Sequence, residues 1–80
     1  DKLYVLKVSL GEEERQIVAG LKGKYSPQDL KGKKIVLLAN LEPAVIRGEK
    51  SEGMLLAAND DNGPVVLAPE SPVPAGTPIQ

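Results

Sequence analysis

RQIVAGLKGKYSPQDLKGKKIVLLA, residues 15–39, is the stretch that decides the fold. It sets an apolar run (Ile17, Val18, Ala19), a helix start and a second apolar run in quick succession. Ser26 can cap the helix. Pro27 suits the first helical position, where its missing N–H would have no partner anyway, and Asp29 stands where a capping-box acid belongs. Gly32 ends the helix within about two turns. Lys34–Ala39 (KIVLLA) then reads as a continuous apolar strand, expected to be buried on both faces.

Towards the N-terminus, Leu3–Leu10 alternates in polarity. Tyr4, Leu6, Val8 and Leu10 fall on one face, with Lys7 and Ser9 opposite, which is the period-two pattern of a half-buried strand. Gly11 and the three glutamates after it make a turn, so Arg15–Leu21 is the returning arm of a hairpin. Towards the C-terminus, Leu41–Gly48 is a loop with a short extended piece at Val45–Ile46. Met54–Ala58 is a strand, Asp60-Asp61-Asn62-Gly63 a strong turn, and Val65–Ala68 a further strand. Pro69–Gln80 is proline-rich and reads as an extended tail. Strand, strand, short helix and three more strands form the order of an all-β OB-fold, a five-stranded Greek-key barrel with one short helix. Residues 1–80 suffice for a single domain. Such a barrel needs a strand ahead of the hairpin. A first strand of roughly 8–10 residues is therefore expected to be missing from this chain, since without it two sheet edges stand unpaired.

Composition closes several routes. The chain has no cysteine and no histidine, so disulfides, thiolate nucleophiles and the commonest metal ligands are absent, and no cofactor is implied. No apolar run approaches the roughly 20 residues of a membrane span. The first residues carry no targeting pattern, which points to the cytoplasm. Asp60 and Asp61 are adjacent, and neighbouring strand residues face opposite ways. Ser51 has no base to activate it. No catalytic residue and no metal site follow.

Net charge is −1, but all ten Lys and Arg lie in residues 1–50 against seven acids, whereas residues 51–80 hold four acids and no base. A dipolar chain of this kind can offer a local basic face to phosphate. The only aromatic residues are Tyr4 and Tyr25. Two tyrosines do not make a base-stacking platform, so any RNA ligand is expected to be folded rather than single-stranded.

Several polar positions are candidates for contacts. Arg47 can make bidentate phosphate contacts. Gly48 and Gly53 bracket Glu49–Glu52, and Gly53 permits close approach to either a phosphate or a neighbouring strand. Ser51 can donate to phosphate or ribose, or close a turn on its own backbone. Asn40 can read a base edge or cap the loop into Pro43. Of Lys33 and Lys34, one is expected to point to solvent and the other to phosphate.

Six segments in order carry a resemblance: DKLYVLKVSLG (1–11), RQIVAGL (15–21), YSPQDLKGKK (25–34), KKIVLLANLEP (33–43), IRGEKSEGMLLAA (46–58) and VPAGTPI (73–79). Together they resemble the tRNA-binding domain found at the C-terminus of methionyl-tRNA synthetases, in free-standing tRNA-binding proteins and in cofactors of multi-synthetase complexes. The resemblance implies a non-catalytic module that recognises the outer corner of folded tRNA by backbone and shape, fused to or associated with an aminoacyl-tRNA synthetase, or free-standing. It implies an RNA-facing set of Lys2, Lys33, Asn40, Arg47, Ser51 and Met54. The VPAGTPI tail implies a homodimer, and a homodimerisation or structural module is the alternative reading. One departure stands out: the family commonly has a base where this chain has Glu42.

Overall fold

The computed structural model describes residues 3–21 and 23–80. β1 (Tyr4–Ser9) and β2 (Glu14–Ala19) form an antiparallel hairpin in unbroken register from Tyr4↔Ala19 to Ser9↔Glu14. The expected alternation holds: Tyr4, Leu6 and Val8 are half-buried, and Val5, Lys7 and Ser9 are exposed. The Leu10 N–H donates to the Glu13 carbonyl at 2.8 Å and closes the turn.

α1 (Pro27–Leu30) is a single turn held by its caps. The Ser26 hydroxyl accepts the Asp29 N–H at 3.3 Å, and the Asp29 carboxylate accepts the Ser26 N–H at 3.0 Å. This reciprocal pair satisfies donors that a helix start otherwise leaves open. Gly32, with φ +78°, turns the chain away.

The remaining strands are short. β3 (Leu37–Leu38) pairs with β6 (Met54–Leu55), β4 (Ala44–Ile46) with β5 (Glu49–Ser51), and β7 (Ala57–Asp60) with β8 (Gly63–Val66), all antiparallel. Among the described residues the strands make four two-stranded ladders, and closure into a barrel is not seen. Isolated backbone bonds link the ladders: Glu52 N–H to the Gln16 carbonyl (2.7 Å), which side-chain bonds supplement, and, through Leu56, Leu56 N–H to the Val36 carbonyl (3.0 Å) and Leu67 N–H to the Leu56 carbonyl (3.2 Å). The result is a small all-β domain of OB-like type with one short helix.

Two strand expectations change. KIVLLA is not buried on both faces: only Leu37 and Leu38 pair, and Leu38 is 38% exposed. Ile35, Val36, Leu37 and Ala39 are half-buried, so no residue of the run is fully enclosed. Met54–Ala58 is not one strand but two, because Leu56 is where the chain changes partner: its N–H still donates to Val36 beside β3, while its carbonyl already accepts the Leu67 N–H beside β8.

Ile17, Leu21 and Val66 are the buried apolar core. The two tyrosines pin it. The Tyr4 hydroxyl donates to the Tyr25 carbonyl at 2.8 Å, and the Tyr25 hydroxyl accepts the Val66 N–H at 3.0 Å. The tail returns over the first hairpin through a turn in which the Thr77 N–H donates to the Pro74 carbonyl at 3.2 Å. A Cβ on Gly76 would collide with the Leu10 carbonyl, so backbone meets backbone there.

Candidate nucleic-acid interface

The register Ile46↔Glu49 leaves Arg47 and Gly48 as a two-residue loop at the tip of the β4–β5 hairpin. Their φ angles, +53° and +81°, are both positive, which defines a type I′ turn. That turn matches the twist of its strands and favours Asn-Gly. Arg47 is the one non-glycine residue with positive φ among the described residues. Its left-handed backbone costs about 1 kcal/mol. The side chain is exposed, and no carboxylate of the described residues lies in ion-pair range of it.

The hairpin leads into the Ser51–Met54 bend. Ser51 is only 5% exposed. Its hydroxyl accepts the Val18 N–H at 3.0 Å and donates to the Gly53 carbonyl at 3.1 Å. A hydroxyl has one proton, and this one is used inside the fold. Of the two readings of Ser51, turn closure is the one this structure displays. Gly53 resolves the same way. A Cβ there would lie 3.0 Å from the Leu38 carbonyl oxygen, so the missing side chain serves strand approach.

Arg15 organises the site from below, and the sequence reading missed it. Its guanidinium donates to the carbonyls of Ala39 and Glu52 and to the Glu13 carboxylate. It thus ties the segment carrying Asn40 to the bend carrying Met54. The signal was present: Arg15 is two residues from the fully buried Ile17 on the same strand, so both point inward. Glu52 reinforces the tie, its carboxylate accepting the Gln16 N–H at 3.2 Å.

Leu41, Ile46, Ser51 and Met54 line one open, largely apolar hollow of about 490 Å³. Asn40 and Arg47 are each one residue from this lining and are exposed, and Met54 is 52% exposed. Of the three, Met54 lines the hollow, while Asn40 and Arg47 are its neighbours in sequence and do not line it. Glu42 lines the same hollow, so the family departure falls within the site. Lys33 is exposed on the flank of α1 and does not line it. Lys2 lies outside the described residues. Beside Lys33, the Asp29 carboxyl is held below its ordinary value by the Ser26 backbone N–H, then the Ser26 hydroxyl, with a smaller contribution from the Lys33 charge.

Comparison with known proteins identifies the family. A family model described as "Putative tRNA binding domain" matches residues 1–78. The chain is 51% identical over 80 residues to a methionine–tRNA ligase of Thermococcus kodakarensis, covering 100% of this chain and 11% of that protein. The fold is similar to that of a MetRS related protein from Pyrococcus horikoshii, with TM-score 0.87 and 36% identity over 99% of this chain and 73% of that one. It is equally similar to the chaperone CsaA of Bacillus anthracis, with TM-score 0.87 and 33% identity over 95% of this chain and 74% of that one. The matched region is a non-catalytic RNA-binding appendage rather than the chemical centre of a ligase. A family match over residues 1–78, nearly the whole chain, leads to one conclusion: the chain belongs to the tRNA-binding domain family.

Proposed function

We propose that residues 1–80 act as one unit that docks on the outer corner of folded tRNA through backbone and shape, with little regard to base sequence. The observation that carries this is Arg47: an exposed cation at a hairpin tip, in a conformation that costs stability and with no carboxylate partner among the described residues. A backbone outlier of this kind is a reason to look for function. Both tyrosines are tied into internal hydrogen bonds, which disfavours a stacking mode of single-strand binding. Lys33, Asn40, Arg47 and Met54 make the contacts. Ser51 acts indirectly by holding the bend, and Lys2 belongs to the set through the family resemblance.

The chain spans 11% of the methionine–tRNA ligase it matches. As part of a synthetase in the cytoplasm, or associated with one, such a module would raise the local concentration of tRNA at a catalytic domain without doing chemistry. The test is a gel shift with bulk tRNA. Lys33→Ala combined with Arg47→Ala should weaken binding and flatten its salt dependence while leaving the circular dichroism unchanged. Unchanged affinity would put the RNA face elsewhere.

A homodimer is favoured by a separate observation: Ile79 in the tail is 69% exposed. Sedimentation of the free protein with and without Ile79→Ser checks it. A monomer in both cases would exclude the dimer.

A further inference from the structure

The hairpin that carries Arg47 is not where the positive charge lies. Residues 42–52 hold Arg47 and Lys50 against Glu42, Glu49 and Glu52, a net −1, and Lys50 sits 3.9 Å from the Glu52 carboxylate. Long-range attraction of a polyanion cannot originate from that segment. Residues 22–34 instead hold five lysines against Asp29 alone, a net +4.

Within that segment the lysines are not equivalent. The Lys24 ammonium reaches towards the Asn62 carbonyl at 3.5 Å, in the turn that also carries Asp60 and Asp61. Lys31, Lys33 and Lys34 are exposed, and none enters an ion pair with a carboxylate among the described residues. Asp29, the acid that acts on Lys33, is itself committed to the Ser26 cap. The backbone beneath these lysines is fixed. The Lys31 N–H donates to the Pro27 carbonyl and the Lys33 N–H to the Leu30 carbonyl, both at 3.1 Å. Gly32 lies between them at φ +78° with open space where a Cβ would stand, so the turn projects into solvent. A fixed backbone bearing flexible point charges suits phosphate rather than base edges.

We infer that Lys31-Gly32-Lys33-Lys34 is a second RNA-backbone site, distinct in role from the hairpin, which supplies most of the salt-dependent attraction for the phosphodiester chain. The inference rests on the reading of this domain as a tRNA binder. The hairpin then contributes fit around the hollow, and the lysine turn contributes charge.

Binding of tRNA measured across a salt series separates the two roles. Lys31→Gln with Lys34→Gln should reduce the slope of log K against log salt by about 1.4–1.8, the loss of two phosphate contacts. The double variant and the wild type should converge in affinity at high salt. Arg47→Asn should instead lower affinity at every salt concentration and change the slope by no more than about 0.9, one contact. In parallel, bound tRNA should protect Lys31, Lys33 and Lys34 from acetylation and leave Lys24 reactive. An unchanged slope in the double variant, or equal reactivity of the turn lysines with and without tRNA, overturns the inference. A wild-type domain that binds no tRNA at any salt removes the underlying reading, and the inference with it.

Discussion

Arg47 occupies a position where Asn would be more stable, because left-handed backbone is tolerated best by Gly, Asn and Asp. Arg47→Asn should therefore raise unfolding stability by about 0.5–1 kcal/mol while weakening tRNA binding. Urea titration and a gel shift on the same variant check both halves. Ser51 behaves in the opposite way. Ser51→Ala leaves the half-buried Val18 N–H without its acceptor, and stability should fall by about 1 kcal/mol. A folded Ser51→Ala domain should still bind tRNA, because the hydroxyl proton faces Gly53 and not the ligand. Arg47 and Asn40 were legible as surface positions because the glycines and strand ends around them fix where the chain bends. A methionine at a strand start reads as core, and only the family resemblance moves Met54 to the surface, where it is 52% exposed. Ser51 was not legible. A hydroxyl in a glycine-bracketed bend reads the same whether it faces phosphate or its own backbone, and only burial distinguishes the cases.

The first hairpin and α1 were readable because their determinants are local. Alternation over 3–10 and the Ser26–Asp29 capping box each lie within a few residues. KIVLLA and Met54–Ala58 were misread because pairing between distant segments decides where those strands stop, and no local pattern encodes it. The capping box makes a pH prediction. Asp29 is held below its ordinary value of 3.8, so its stabilising effect is full above that pH and is lost as pH falls through the lowered value. The stability gap between wild type and Asp29→Asn should thus be constant from pH 7 down to about 5 and shrink once the solution passes below pH 3.8. Thermal melts across that range test it. The tail turn is a second such element. Gly76→Ala should push the tail off the β1–β2 turn, since the added methyl meets the Leu10 backbone. Limited proteolysis should then cut residues 69–80 sooner than in the wild type.

Taken over its full length the chain is dipolar, with its bases in residues 1–50 and residues 51–80 wholly acidic in their charges. The β7–β8 turn, with Asp60 and Asp61, is part of the acidic portion and should be repelled by a polyanion. Its thin core of Ile17, Leu21 and Val66 gives a domain of this size little stability to spare. Against that background a strained Arg47 and a concentrated lysine turn are explained most simply by a ligand. Titration of the isotopically labelled domain with tRNA, followed through its amide resonances, tests this directly. The amides of Asn40, Arg47, Gly48 and Met54 should shift together with those of Lys31–Lys34, while those of Asp60–Gly63 stay in place. Shifts gathered at Asp60–Gly63, with the hairpin tip unmoved, would contradict it.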